Sequence, residues 1–465
     1  MLGLRIGLSV GKRILASGIH ALLSAVKARA TTYENQDGST TIINELSADN
    51  LLDSATILTT PTAHSSAVLH SLKDGTSNSD FDVTSDTDAT RINENGLLED
   101  IAANQPRINY EPSASGVVAN NAHILLEPTR TNLAVRSGDA SQWTWGKDAN
   151  PNSTTRVDGQ TDPYGGTSAS QFTRDAGTGG WFTNANNPTG SAVDYTHSIF
   201  VKQPASNAST TIEIKNVSTS PQSSVTFTFS SESFTTESNA TGSFEKFPNG
   251  YYRLSMTFAN GSASSSQARH TLDDGKALIV FGIQFEEGSF STSYIPTTSS
   301  SVTRTKGKIK DSGNTSLIDS TQGTLYCEIS GSFDGSRHIG LSGSVGGSPA
   351  NYNAVYIGLN SSNQPFGVVR VDNDSNVLNR TTTIDASSSF VKCAIKWSSS
   401  DMAFYVNGSK IGTTETSPSA TFSADELDTL SFDRGNNQFI FTGKCKAVAV
   451  YTTALSDSDM AALTN

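Results

Sequence analysis

Through most of the chain, apolar and polar residues alternate with a period of two. Clear runs are His197-Ser198-Ile199-Phe200-Val201-Lys202, Thr211-Ile212-Glu213-Ile214-Lys215 and Val225-Thr226-Phe227-Thr228-Phe229. Tyr251–Phe258 and Leu278–Phe285 are longer runs of the same kind. Such alternation turns one face of a strand to a core and the other to water. Turn-rich segments separate the runs at intervals of roughly 10 to 20 residues, the rhythm of an antiparallel sandwich. A polar, basic stretch at 298–310 reads as a linker, after which the rhythm resumes. It predicts strands over Gly323–Ile329, Ala354–Leu359, Phe366–Val371, Val391–Trp397, Met402–Val406 and Phe439–Tyr451. Asn-Gly turns mark two hairpins, one from Arg91 to Glu99 and one around Asn407-Gly408. Ala454–Leu463 reads as a closing helix, with Ser456 as N-cap and Asp459 three residues later.

The amino terminus has another pattern. Leu2, Leu4, Ile6, Leu8 and Val10 alternate, and Leu15, Ile19, Leu22, Leu23 and Val26 then follow helical spacing. This predicts a strand or extended arm, then a helix over about 13–28. Met1–Ala30 holds five cationic residues and no acidic one. Its uncharged run Ile14–Val26 is too short to span a bilayer, so no membrane span is expected. The run has the length of a signal-peptide core, and Ala28-Arg29-Ala30 resembles a cleavage site. We read the segment instead as an assembly anchor, with Leu4, Ile6, Leu8, Leu15, Ile19, Leu22, Leu23 and Val26 docking on a partner subunit. The expected fold is therefore mainly β. An N-terminal arm and helix (1–30) precede a β-rich, irregular region (31–133) and two antiparallel, jelly-roll-like β-sandwiches (134–304 and 305–465).

Composition narrows the class. Of 465 residues, 35% are hydrophobic and 16% charged, while 68 Ser and 54 Thr give about a quarter of the chain a hydroxyl. That excludes a helical bundle, a coiled coil and a multi-span membrane protein. The 21 Phe, 12 Tyr and 4 Trp supply apolar mass for real cores and argue against disorder. The net charge is −12 and no Lys/Arg-rich run of nucleic-acid type occurs, so no nucleic-acid partner is expected. Three cysteines (Cys327, Cys393, Cys445) leave two readings: one Cys327–Cys393 or Cys393–Cys445 bridge, or three buried thiols.

Catalytic motifs are missing. The seven histidines are scattered with no H-E-x-x-H, and there is no G-x-S-x-G elbow, no P-loop and no G-x-G-x-x-G. No carboxylate pair stands out for polysaccharide cleavage, and the protein is read as non-enzymatic. No cofactor is expected beyond calcium, for which Asp372 and Asp374 in an oxygen-rich turn are the candidates, although EF-hand spacing is lacking. Sugar binding needs aromatic faces beside hydrogen-bonding groups. Trp143, Trp145 and Trp181 in turn-rich segments are candidates, with a core role as the alternative reading. Arg337, His338, Asn351 and Tyr352, in or beside the Gly/Ser-rich loop Gly340–Ser348, are candidates in the last domain. Arg91, Arg107 and Arg130 lie near Glu99, Glu111 and Glu127 in sequence and read as structural ion pairs.

Four segments together resemble a set found in tailed-bacteriophage tail-fibre and minor structural proteins with a carbohydrate-binding-module-like sandwich. They are Thr87–Tyr110, Ile124–Leu133, Phe244–Phe258 and Gly282–Arg304, the last carrying Thr292-Ser293-Tyr294-Ile295-Pro296-Thr297 and Val302-Thr303-Arg304. The carboxyl-terminal part is similar to the concanavalin A-like, laminin-G-like sandwich, through Phe404-Tyr405-Val406-Asn407-Gly408 and Val448–Ser456. The resemblance implies a fibre or appendage subunit of the phage virion. Its N-terminus would dock on other virion proteins of the tail, neck or capsid. It would assemble as a homotrimer, and its terminal sandwich would bind a host-surface glycan or protein receptor. A capsid or neck decoration or scaffold protein without a receptor role is the alternative, and a polysaccharide depolymerase is the third reading.

Overall fold

The computed structural model describes the backbone of residues 31–34 and 40–43, which pair as an antiparallel hairpin, and residues 51–465 with gaps. The gaps are 52–53, 66, 74–76, 114–115, 118–121, 147–153, 178–179, 185–186, 190–192, 220, 261–264, 332–334, 336, 344–352, 372–374 and 436. The expected arm and helix of Met1–Ala30, with all eight docking residues from Leu4 to Val26, lie outside the described residues. The rest is mainly β with antiparallel sheets, as the alternation required.

The terminal sandwich packs two sheets. The larger runs, in spatial order, through Lys308–Lys310, Phe81–Thr84, Val68–Ser71, Ile57–Ser65, Gly443–Tyr451, Gly323–Ser330, Val391–Trp397, Ala403–Val406 and Ser409–Lys410. His123–Leu126 also pairs with Gly443–Tyr451, and Ile108–Asn109 pairs with it in turn. The smaller sheet runs Ser375–Thr381, Pro365–Val371, Ala354–Leu359, Arg337–Ser342 and Thr429–Ser431. Leu325, Cys327 and Ile329 share one core with Ile339, Leu341, Val355, Ile357 and Val369. Ile57, Leu69, Phe81 and Ile124 belong to that same core. The 31–133 division of the sequence thus cuts across a sheet, because most of that region completes the terminal sandwich. Alternation assigns the faces of a strand but not its ladder partners, which here lie several hundred residues away.

The middle sandwich is an insertion into this unit. Its sheets run Thr144–Gly146, Trp181–Thr183, Ala268–Leu272, Thr211–Asn216, Ser223–Thr228, Ser233–Ser238, and Thr154–Gln160, Ala169–Arg174, Ala277–Glu287, Asp194–Lys202, Tyr251–Ala259, Ala240–Lys246. The chain enters through Arg130–Asn132 and leaves through Val302–Arg304, and these two short strands pair with each other. The stretch at 298–310 is therefore not a linker. It holds the return strand and then Lys308–Lys310, an edge of the terminal sheet. The hairpin Ala89–Ile92/Leu98–Ile101 lays Ile92 and Leu98 on Phe200, Phe247, Tyr251, Phe281 and Tyr294, the outer face of the middle sandwich. Asp194–Lys202 is consequently buried on both faces except at its ends, since Ile199 and Val201 face the core between the sheets and Phe200 faces the hairpin. A bulge opposite Ser198–Phe200 places Gly282 at φ +62°, where a Cβ would lie 2.9 Å from the Phe200 ring.

The three cysteines are free and buried in the terminal core, so the thiol reading holds; Cys327 and Cys393 are cross-strand neighbours. Ser456 caps the closing helix Asp457–Leu463 by accepting from the Asp459 N–H at 3.2 Å. Among the described residues no helix is long and apolar enough to cross a membrane.

Candidate functional site

Arg337 and His338 are adjacent on one strand, so they point to opposite faces of the sheet. Arg337 is 1% exposed on the core side and donates to Asn363 Oδ1 (2.6 Å) and Asn360 O (3.3 Å), so its expectation as a glycan contact is corrected to a buried residue that holds the turn at 360–363. His338 faces outward, where its ring stacks on Tyr356 (4.6 Å, 14°) and on Phe439 (4.8 Å, 13°). Phe366 meets the same imidazole edge-on at 5.2 Å. Burial and the neighbouring Arg434 push the His338 imidazole down to about 3, so it is a neutral, flat packing element at physiological pH.

The column has an open end. Phe439 is 43% exposed and carries the Arg434 guanidinium 4.4 Å from its ring centre. Both sit on the turn from Asp433 to Phe439, where Gly435, Asn437 and Phe439 all have positive φ (+85°, +60° and +54°). For a bulky side chain such a backbone is an outlier that costs roughly 1–3 kcal/mol, and residues of this kind cluster at functional sites. Asp433 braces the turn by accepting from the Gly435 N–H at 2.5 Å. Arg434 also reaches Gln438 Oε1 at 3.3 Å. With His338 stacked on the Phe439 ring and Arg434 lying over it, the edge offers the exposed rim of an aromatic ring, a planar guanidinium and an amide on a backed, preorganised turn. Phe439 and Arg434 were not among the sequence candidates. Phe439 was expected in the strand that actually begins at Gly443, and the only local signal was the turn-forming run Asp433-Arg434-Gly435-Asn436-Asn437.

The other predicted residues do not join this edge. Trp143 is 3% exposed in the middle core, stacked on Phe182 (6.1 Å, 11°), with Nε1 donating to Arg136 O at 3.0 Å. Its expectation as a glycan platform is corrected to a core anchor, because both of its environments, apolar and polar, are filled from within. Trp145 lies on Thr144–Gly146 with its side chain outside the described residues. Trp181 is half-buried and one face carries the Arg269 guanidinium at 3.9 Å. Asn351, Tyr352, Asp372 and Asp374 lie outside the described residues. Among those described, no group of three His, Cys, Asp or Glu is arranged to hold a metal ion.

The arginines expected in ion pairs build the joint between the sandwiches. Glu127 accepts from Arg107 (2.7 Å) and Arg304 (2.8 Å), and from the backbone N–H (2.8 Å) and hydroxyl (2.6 Å) of Ser293. All three charged groups are at least nine-tenths buried. Burial alone would raise the Glu127 carboxyl, but Arg304, Arg107 and Ser293 outweigh it and hold it at about 2. For Arg107, desolvation outweighs Glu127 and lowers it to about 10, still a cation at neutral pH. Alongside, buried Glu286 accepts from Thr292 and Gln284, and Asn132 donates to Ile295 O (2.8 Å). Arg91 pairs with Glu99 at 2.8 Å as expected, while Glu111 pairs instead with Lys444 and Arg130 approaches Glu286. The segments Thr87–Tyr110, Ile124–Leu133 and Gly282–Arg304 thus supply the joint.

Residues 318–461 match the family model of the concanavalin A-like lectin/glucanases superfamily, in its Laminin_G_3 form. No curated protein matches the chain. Among solved structures, similarity extends to the carbohydrate-binding module of the Ruminococcus gnavus intramolecular trans-sialidase bound to α2,3-sialyllactose. That match has 17% identity over 31% of this chain and 83% of the module, with a TM-score of 0.27. The leech intramolecular trans-sialidase is 20% identical over 31% of this chain and 23% of its own, with a TM-score of 0.26. The SAP-like pentraxin of Limulus polyphemus is 17% identical over 31% of this chain and 70% of its own, with a TM-score of 0.24. The terminal unit, completed by strands from 57 to 126, is an antiparallel two-sheet β-sandwich whose residues 318–461 are similar to the concanavalin A-like superfamily.

Proposed function

We propose that the protein is a non-catalytic appendage or fibre subunit of a tailed-phage virion, whose terminal sandwich adheres to a host-surface glycan. The observation that carries the binding role is the open end of the His338–Phe439–Arg434 column on a concanavalin A-like sandwich. A pyranose presents an apolar C–H face to the flat, guanidinium-capped end of such a column and hydroxyl edges to guanidinium and amide groups. The virion role is supported by the four recurring segments, three of which form the joint. A joint made of a buried carboxylate clamped by two arginines suits a module that transmits load between an anchor and an adhesive end. Docking through Met1–Ala30 and assembly as a homotrimer belong to the same proposal.

The test compares wild type with Phe439→Ala and Arg434→Ala in glycan-array binding and in host-cell adsorption, with melting curves as the folding control. Binding is expected to fall about tenfold or more in both variants with melting little changed. Equal binding by all three proteins overturns the assignment of the edge. Antibody labelling of intact particles tests the second part. Label on tail or fibre is expected, and label spread over the capsid lattice overturns it in favour of a decoration protein.

A further inference from the structure

Between the two sandwiches lies a cavity of about 120 Å³, large enough for several ordered waters. Its walls come from both units: Arg253, Glu245, Phe247 and Tyr294 from the middle sandwich, and Glu111 and Lys444 from the terminal one. Most polar groups on these walls are already satisfied. Glu111 and Lys444 form an ion pair with each other. The Tyr294 hydroxyl is 2.7 Å from Ser137 Oγ. Glu127, also on the wall, is consumed by its two arginines.

Arg253 is the exception. It is 5% exposed, its Nη2 donates to Ser198 Oγ at 3.1 Å, and its Nε has no acceptor among the described residues. Its carbon centre lies 5.3 Å from the Phe200 ring, which offers the cation a π face but no hydrogen-bond acceptor. The buried arginines of the joint are clamped on a carboxylate, whereas Arg253 makes no ion pair among the described residues. A desolvated guanidinium left in this condition is costly and is retained where something else needs it. Glu245 is its cross-strand neighbour and is open to solvent, yet the two do not bond. A buried donor with a spare N–H and a solvent-facing acceptor thus line one cleft without bonding to each other.

We propose that this cleft binds the hydroxyl edge of one neutral sugar residue, with Arg253 donating to one hydroxyl oxygen and Glu245 accepting from its neighbour. A vicinal diol fits because each hydroxyl is donor and acceptor at once. A carboxylate-bearing ligand would meet Arg253 well but would be opposed by Glu245. The site is separate from the Phe439 edge, so it survives Phe439→Ala and does not depend on the reading of that edge.

The experiment is ligand-observed NMR on the full chain with methyl α-glucoside, α-galactoside and α-mannoside, and methyl glucuronide as the anionic arm. Wild type, Phe439→Ala, Glu245→Gln and Arg253→Met are compared. At least one neutral glycoside is expected to saturate wild type and Phe439→Ala, with about tenfold or greater loss in the two cleft variants. Arg253→Met is also expected to melt at or above the wild-type temperature, because it removes an uncompensated buried charge. Melting clearly below wild type would mark Arg253 as a packing residue and overturn the assignment. Binding of the glucuronide alone, no saturable glycoside, or saturation unchanged in Glu245→Gln each overturns it as well.

Discussion

Replacing Glu127 by Gln tests the joint most directly. The substitution keeps the shape and leaves Arg107 and Arg304 buried without their counter-ion, 9% and 2% exposed. A carboxyl held at about 2 rather than 4.5 favours the folded state by about 3 kcal/mol at neutral pH. Removing one member of a buried charge cluster typically costs about 3–5 kcal/mol, because the remaining ions stay desolvated. Glu127→Gln should therefore lose about 3 kcal/mol in urea unfolding at pH 7. The pH profile gives a second, independent reading. A depressed carboxyl contributes in full above about 4.5, and its contribution is lost as pH falls towards 2. Wild type should therefore lose about 3 kcal/mol across that window, and the variant should lose that much less. Replacing all three residues by Leu should recover most of the stability, since an apolar trio leaves no unpaired ion. A variant within about 1 kcal/mol of wild type at pH 7, or one with an unchanged acid slope, would falsify the clamp.

Three further outcomes follow from named contacts. His270 is buried with its Nε2 2.9 Å from that of His197, and burial lowers it to about 4. The His270 contribution of about 3 kcal/mol should be lost as pH drops from 6.5 to 4, as the unfolded imidazole takes up a proton first, and His270→Phe should make the acid slope of a melting series less steep by that much, with the buried neutral His197 and His338 supplying the remainder. Trp143→Ala should cost about 3–5 kcal/mol in chemical unfolding yet leave glycan binding per folded molecule unchanged, which separates core from site. Gly282→Ala should destabilise by more than about 1 kcal/mol in the same assay, since the new methyl group meets Phe200 on a backbone with positive φ.

By itself the sequence determined the class and most of the local geometry. Alternation located the strands at 211–215, 251–258 and 391–397 to within a few residues. Asn407 and Gly408, both at positive φ, turn the predicted hairpin, and Ser456 caps the predicted helix. These features rest on interactions within a few residues, so they are written locally. The nearness of acids and arginines in sequence also pointed to the ion pairs, although not to the pairing of Arg304 with Glu127 across 177 positions.

Only the tertiary structure decided which strands share a sheet. Ile57–Ser65 and His123–Leu126 both pair with Gly443–Tyr451, and this choice makes the middle sandwich an insertion rather than a bead on a string. A period of two says which side chains face inward but is silent about the neighbour, because every strand edge offers the same N–H and C=O groups. For the same reason Trp143 could not be told from a surface aromatic, and the Phe439 edge and the Arg253 cleft could not be seen at all. Each is assembled from residues that become neighbours only when distant strands close their ladders.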